Sequence, residues 1–398
     1  MKFSIPTNWD SELLKNLRKK EEIAEVYGKL AQDFFGGGRA AFLLPPISKK
    51  RATRKIKEIQ RQGLSFNYLL NSVCMDNLEW TSSGQRKINH FLDWLSDVGV
   101  GAVTVSIPYL LQLIKKRFPK MKISVSTQAC VNSAQKAKYW EDLGADLITL
   151  SVVDANRDFR LIRAVRKSVK CQLQVIGNLN CLYGCPFYLY HGTTESHASQ
   201  SHHQSGGFLL GYCHLNCRSI QLANPINFIR SSWIRPEDVH YYEEAGIDRI
   251  KLVERNMTTQ ALLNIIRAYL DRRYTGNLVD LLPGPAKSIV FQKNFFWSNI
   301  RFFFHPFKVN ILKLLKRMNV LEEARVFIDN SKLDGFLEQF IKESCYDKSC
   351  QECGYCEEVA KKAVFINAES KQKMSAVYDR YMEDLLTGDI FSYVSKKR

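Results

Sequence analysis

The sequence predicts an α/β protein built around a parallel β-sheet, and two observations support this prediction. Short apolar, β-branched runs alternate with amphipathic helical stretches, at intervals of about 20–25 residues. Two of the helical stretches end at Gly144 and Gly246, and glycine just past the last turn supplies a left-handed helix cap. Strand–helix units in succession are typical of parallel strands joined by crossover helices.

The predicted strands are spread through the first two thirds of the chain. They cover residues 40–44, 66–71, 102–106, 123–126, 147–151, 173–177 and 249–253. This number of units, without a Gly-rich dinucleotide turn, favours a closed TIM-like (β/α) barrel over an open sheet. In such a barrel the chemistry is located at the carboxyl ends of the strands.

The barrel is predicted to span residues 40–288, between two regions of different character. Residues 1–39 are charged, have apolar positions near helical spacing, and predict a helical N-terminal segment that ends at the "FFGGGR" break. The strand–helix rhythm stops after the Pro/Gly-containing "LLPGPAKS". Residues 289–398 are therefore predicted to form a C-terminal extension with a small Cys-rich domain.

The composition favours a globular protein that contacts anions. The chain has 398 residues, is 45% hydrophobic and carries a formal charge of +17, with basic runs at 49–61 and 115–122. Such a charge suits nucleic acid, an acidic membrane surface, or phosphorylated or carboxylated metabolites, although each run alone is equally typical of a solvated surface.

No export or membrane-spanning signal is visible. The N-terminus lacks a signal-peptide pattern, and no window approaches the roughly 18 apolar residues needed to cross a bilayer. We therefore expect a cytoplasmic protein. The aromatic run at 295–307 is the strongest candidate for a buried interdomain patch or a surface for a protein partner.

The cysteines point to metal chemistry. Clustered thiols in a chain without an export signal more often bind metal than form disulfides. The first set is Cys181, Cys185, Cys213 and Cys217, in two pairs with three-residue gaps. The set is typical of a soft metal centre, and zinc is less favoured because its structural sites more often use two-residue gaps. Buried packing thiols and a redox disulfide are the alternatives.

A second set lies near the C-terminus. Cys345, Cys350, Cys353 and Cys356 contain a compact Cys-x-x-Cys-x-x-Cys run, which is typical of ferredoxin-type clusters. A four-thiolate zinc site fits the same count. We expect iron–sulfur in preference to zinc, acting as an added electron relay or as a structural staple.

Polar residues follow several of the predicted strands and form the candidate site. Asn71, Gln128 and Asn180 are candidate cofactor-binding residues, and Lys251, Glu254 and Arg255 are candidate catalytic residues. His191, in the loop between the two cysteine pairs, is a candidate acid or base. A satisfied hydrogen-bonding role at a strand end is the alternative for each of them.

Several blocks resemble the peptidase U32 family over roughly residues 40–285. They are "ISVSTQACVNSAQKAKYWEDLGADLITLS", "NLNCLYGCP", "GYCHLNCR" and the segment at 235–273 that contains "RIKLVERN". The resemblance implies a TIM-like barrel in which Cys181, Cys185, Cys213 and Cys217 hold a 4Fe–4S cluster, with Lys251, Glu254 and Arg255 near the active site. Two departures from the family's pattern bear on the identity of the substrate. The cysteines of the first pair are closer together than in many members, and "KLVERN" lacks the glycine expected before its arginine.

The resemblance also implies a reaction class. Several members are oxygen-independent hydroxylation proteins that act on a quinone precursor or on RNA bases, some with prephenate as the oxygen source. The sequence therefore predicts an iron–sulfur redox enzyme for an anionic small molecule or RNA, which needs an electron or oxygen donor.

Two other classes remain as alternatives. A peptidase is poorly supported, because the sequence has no G-x-S-x-G or H-E-x-x-H motif and a metal-bound thiolate is not a free nucleophile. An RNA- or partner-binding module with a structural metal is the other alternative, although no RNA-recognition signature is present.

Overall fold

The computed structural model describes residues 1–289 and 309–391 of the chain. Eight parallel strands close into a barrel in sequential order, and the last strand pairs with the first. The strands are β1 (Lys2–Pro6), β2 (Ile23–Gly28), β3 (Phe66–Leu70), β4 (Ala102–Val105), β5 (Lys122–Val125), β6 (Leu147–Thr149), β7 (Gln172–Ile176) and β8 (Arg249–Lys251). The predicted TIM-like barrel is confirmed.

The helical prediction for residues 1–39 is wrong, because this segment supplies β1 and β2. Only α1 (Ser11–Lys15) is α-helical there. Phe3, Ile5 and Val26 are fully buried in the barrel. Both strands are short and the charged stretch between them dominates the local pattern, so the helical spacing of that stretch hid the strands.

The first predicted strand, at 40–44, is also wrong. Ala41–Leu43 forms a short 3₁₀ helix instead, and it packs with Ala198 and Phe208. Pro45 and Pro46 follow directly. Proline cannot donate a hydrogen bond to a strand ladder, so this apolar run cannot continue as a central strand.

Helices surround the barrel and join its strands. They are α2 (Lys49–Arg61), α3 (Ser82–Asp97), α4 (Pro108–Arg117), α5 (Ala134–Asp142), α6 (Phe159–Ser168), α7 (Tyr188–His197), α8 (Tyr212–Ala223), α9 (Ile226–Arg230), α10 (Val239–Glu244) and α11 (Thr259–Leu270). The connection from β7 to β8 is the longest of those between strands and contains α7 to α10. Long loops at the carboxyl ends of barrel strands are where such folds place their functional residues.

The C-terminal region packs on the outside of this long connection. It contains α12 (Ile311–Lys316), β9 (Val326–Ile328), α13 (Glu338–Lys342), α14 (Cys350–Cys353), α15 (Tyr355–Ala363), β10 (Val364–Ile366) and α16 (Ala368–Leu386). β9 and β10 pair antiparallel. α16 packs against α8, and α15 packs against α9. This region therefore contacts the helix that carries Cys213 and Cys217.

Two sequence features bear on partners and membranes. The aromatic run at 295–307 lies outside the described residues. Within residues 1–289 and 309–391, no helix has both the length and the apolar character that crossing a bilayer requires.

The interior of the barrel contains a polar network beneath its mouth. Glu25 of β2 accepts hydrogen bonds from Ser4 and Asn67, at 3.0 and 3.1 Å. Thr104 donates to Asn67 at 2.9 Å, and Ser4 donates to Gln174 at 2.8 Å. Buried polar groups need such partners, and a satisfied network rigidifies the structure around it. The network therefore holds the residues beneath the cavity in fixed positions.

Candidate active site and thiolate centres

A cavity of about 130 Å³ opens at the carboxyl ends of the barrel strands. The residues that line it include every predicted catalytic and cofactor-binding residue except Asn180, and one of the predicted cysteine ligands, Cys181. The lining residues used below are Tyr27, Arg39, Asn71, Gln128, Cys181, Tyr188, His191, Gly192, Glu195, Lys251, Glu254 and Arg255. The strand ends of a parallel barrel meet at one rim, which brings these distant segments together.

Lys251 and Arg255 form a buried cationic pair in this cavity. The side chain of Lys251 lies 4.0 Å from the ring centroid of Tyr27. Both residues are less than a tenth exposed. Neither side chain forms an ion pair with any residue that the structure describes. Buried charges are normally paired, so these two cations indicate a site for an anion.

The environment of Lys251 changes its protonation. Burial lowers the pKa of Lys251 to about 8, although the carboxylate of Glu25 partly offsets this effect. Burial also lowers the pKa of Arg255, while Glu254 acts in the opposite direction. A lysine in this range can bind an anion when protonated and act as a base when neutral.

Arg39 connects two carboxylates at the rim of the cavity. Its guanidinium pairs with Glu254 and lies 3.6 Å from Glu195. Nε2 of His191 lies 3.2 Å from Oε1 of Glu195. Burial acts to raise the pKa of Glu195, but the hydrogen bond from His191 and the charge of Arg39 lower it overall. Since an ionised carboxylate only accepts hydrogen bonds, His191 holds its proton on Nε2.

Two amide groups present free acceptors to the cavity. Oδ1 of Asn71 and Oε1 of Gln128 are buried and have no hydrogen-bond partner among the residues that the structure describes. Both residues line the cavity beside the cationic pair. A buried carbonyl oxygen without a partner costs free energy, and a ligand N–H or O–H would remove that cost.

Asn180 has a different role from the other predicted residues. Its side-chain amide nitrogen donates to Oε1 of Gln221 at 3.3 Å, and its backbone carbonyl oxygen accepts from Nε2 of Gln221 at 3.1 Å. It therefore ties the loop after β7 to α8. The structure does not bring Asn180 to the cavity.

The first cysteine set lies at one side of this cavity. Cys181 lines the cavity itself, and Cys185 follows in the same loop. Cys213 and Cys217 are four positions apart on α8, so their side chains share one face of that helix. Burial, with the nearby Cys217 and Cys185 thiols, raises the pKa of Cys181 to about 12. The thiols of the two pairs are therefore electrostatic neighbours.

Burial raises the pKa of Cys185 and Cys217, while nearby backbone N–H groups act in the opposite direction. Such donors stabilise thiolates and tune the reduction potential of iron–sulfur clusters. The donor set thus fits a sulfur-ligated centre.

Among the residues that the structure describes, no three His, Cys, Asp or Glu side chains stand where a single ion could hold them.

The second set, Cys345, Cys350, Cys353 and Cys356, lines a separate small cavity in the C-terminal region. Three of these thiols are exposed, and Cys356 is half-buried. The cavity does not share any lining residue with the barrel mouth. The two sets are therefore distinct sites.

Arg39 and Glu195 were not predicted as site residues. Arg39 follows the three glycines after β2, and the strand that leads to it was not recognised. Glu195 lies four residues after His191 on α7. A charged residue directly after "GGG", and a His–Glu pair with helical spacing, were the available signals.

Comparisons with known proteins agree with these features. The sequence model for peptidase family U32 matches residues 48–220. An uncharacterized protease of Methanocaldococcus jannaschii, MJ1657, is 29% identical over 374 residues, which cover 91% of this chain and 98% of that protein. The structure of the U32 peptidase Mk0906 is 21% identical, covering 64% of this chain and 93% of that one, with a TM-score of 0.49. Residues 48–220 of the chain are therefore similar to the peptidase U32 family.

Proposed function

We propose that this protein is an iron–sulfur oxidoreductase that carries out an oxygen-independent hydroxylation, or a related oxidative transfer, in the barrel mouth. The observation that carries the proposal is the position of Cys181, which belongs to a four-thiol set and also lines the cationic cavity. A cluster on these thiols would lie beside any anion bound by Lys251 and Arg255. Hydrolysis requires no electrons, so this adjacency favours redox chemistry.

Cys181, Cys185, Cys213 and Cys217 would hold the cluster, which supplies electron transfer when bound. The residues of the chain bind and orient the substrate. Lys251 and Arg255 neutralise its charge, and the carbonyl oxygens of Asn71 and Gln128 accept its hydrogen bonds. His191, oriented by the contact of its Nε2 with Glu195, can accept a proton on Nδ1 at the rim.

The cavity favours a small anionic substrate or an extruded RNA base. Its volume of about 130 Å³ suits one ring with a carboxylate better than a longer ligand. We propose an organic donor for the added oxygen atom, with prephenate as the candidate. Two binding measurements separate the substrate classes. One is the affinity for malonate or prephenate, and the other is the affinity for a short RNA at several salt concentrations. RNA binding weakens steeply as the salt concentration rises.

The first experiment is metal analysis of anaerobically purified protein. We expect iron, acid-labile sulfide and a visible absorption band, with the iron content reduced in Cys213→Ser/Cys217→Ser. Cys171→Ser is the control, since Cys171 lies before β7, at the opposite end of that strand from Cys181. A colourless protein containing only zinc, or unchanged iron in the double variant, would overturn the proposal.

The family name and the name of the archaeal relative favour a second candidate, a peptidase. The histidines near the cavity have partners other than nucleophiles: His191 pairs with Glu195, and Nε2 of His214 accepts from Arg218 at 2.6 Å. Cleavage of a casein or gelatin substrate by the purified protein, abolished in His191→Ala, would establish the peptidase and displace the redox proposal.

A further inference from the structure

The second cysteine set is shaped by two short helices that meet at a glycine. Cys350 and Cys353 lie on α14, and Cys356 lies on α15. Gly354 separates the helices with a φ of 63°, a left-handed conformation that other residues rarely adopt. Ser349 and Glu352 form a capping box that holds the start of α14. The turn directs thiols from both helices into one cavity.

All four thiols line this cavity, although they come from three separate segments: the loop of Cys345, α14 and α15. Arg230 lines the same cavity, and its buried Nε has no hydrogen-bond partner among the described residues. An unsatisfied arginine donor beside thiols indicates an anionic occupant.

Two contacts hold the loop of Cys345 against the barrel. The hydroxyl of Ser344 donates to Asp158 at 2.9 Å, and Arg160 pairs with Asp347 at 2.8 Å. Asp158 is the N-cap of α6, so the loop is attached to a fixed element of the barrel. Its position relative to the first set is thus determined by packing rather than by a linker.

We propose that Cys345, Cys350, Cys353 and Cys356 bind a second iron–sulfur centre, which would supply one-electron redox chemistry when bound. The existence of this second centre is independent of the proposed function.

Iron content of anaerobically prepared full-length protein tests the second centre. We expect Cys350→Ser/Cys353→Ser to lose about four iron atoms per chain, and Cys213→Ser/Cys217→Ser to lose a similar number. Cys171→Ser is the control and should retain all the iron. If Cys350→Ser/Cys353→Ser retains all its iron, or if the wild type binds zinc at this set, the second centre is refuted.

Electron paramagnetic resonance of dithionite-reduced protein gives a second readout of this centre. We expect each double variant to lose a different one of the wild-type signals. A spectrum of Cys350→Ser/Cys353→Ser that is identical to the wild-type spectrum would refute the second centre. The single variant Cys353→Ser replaces an exposed thiol with a hydroxyl ligand, and should alter one signal while circular dichroism is unchanged.

The two proposals fail in different ways. If only Cys350→Ser/Cys353→Ser loses iron, the second centre stands and the proposed function falls. If only Cys213→Ser/Cys217→Ser loses iron, the proposed function stands and the second centre falls.

Discussion

The guanidinium of Arg39 lies 3.6 Å from the carboxylate of Glu195, and this pair joins the loop after β2 to α7 across the barrel mouth. Arg39 also pairs with Glu254, which follows β8. One cation thus compensates two carboxylates that are each less than a tenth exposed. The three groups connect segments from opposite parts of the sequence and define the rim of the cavity.

Replacing Arg39 should destabilise the protein in a pH-dependent way. In Arg39→Leu, Glu195 and Glu254 remain buried without a counter-charge, which should cost about 3 kcal/mol of unfolding free energy at pH 7.5. The lowered pKa of Glu195 contributes stability above the ordinary glutamate pKa, and this contribution is lost as pH falls. The deficit should therefore shrink at about pH 3.5, below the ordinary glutamate pKa of 4.5. Denaturant unfolding at both pH values measures it, with Arg39→Lys as the matched control, and an equal deficit at both would contradict the assignment.

Anion binding in the cavity should weaken as pH rises. The pKa of Lys251 is lowered to about 8, so its charge is present below pH 8 and lost above it. We expect the affinity for malonate, measured by calorimetry, to fall several-fold between pH 7 and 9. Lys251→Met should bind weakly at both values, while Lys251→Arg should bind without this pH dependence. A wild-type affinity that does not change across this range would show that Lys251 does not contribute its charge.

A methyl group at Gly192 should perturb the cavity without harming the fold. A Cβ there would lie 2.4 Å from Oε1 of Gln128, which is the movable end of a flexible side chain. Gly192→Ala should therefore displace Gln128 and weaken malonate binding. The melting temperature should stay the same or rise, because alanine in a helix is up to about 1 kcal/mol more favourable than glycine. Gly101→Ala, where nothing lies within 4 Å, is the control; equal affinities in the two variants would exclude the contact.

The N-terminal strands should be essential to the barrel. Phe3 of β1 is fully buried, and its ring packs edge-on against Tyr269 at 6.2 Å. Phe3→Ala should lower the unfolding free energy by about 3–5 kcal/mol. Phe327→Ala, at a position that is 42% exposed in β9, should cost about 1 kcal/mol or less. If both variants unfold at the same denaturant concentration, the closure of the barrel by β1 would be in question.

The regular part of the fold could be predicted from local pattern. β3 to β8 each coincide with a predicted apolar run, because a buried parallel strand is apolar on both faces and its helix is capped by a recognisable glycine. β1 and β2 were missed because each is short and lies beside a charged stretch with helical spacing. Local pattern also mistook residues 40–44 for a strand, although tertiary packing makes them a 3₁₀ turn.

The candidate site likewise contains some residues that local sequence pattern could predict and others that it could not. Lys251, Glu254 and Arg255 could be predicted because the end of a barrel strand is a functional position wherever the strand itself is recognised. Arg39 could not, because its importance lies in two carboxylates that are distant in sequence. Asn180 follows a strand like the others, but its side chain turns toward Gln221, a direction that only packing determines.

By itself, the sequence determined the barrel, the strand-end residues and the two sets of four thiols, since these depend on residue type and on short spacings. The tertiary structure alone decided that β1 and β2 close the barrel and that Arg39 joins Glu195 to Glu254. Those relationships depend on contacts between residues far apart in the chain, which arise from the packing of whole elements.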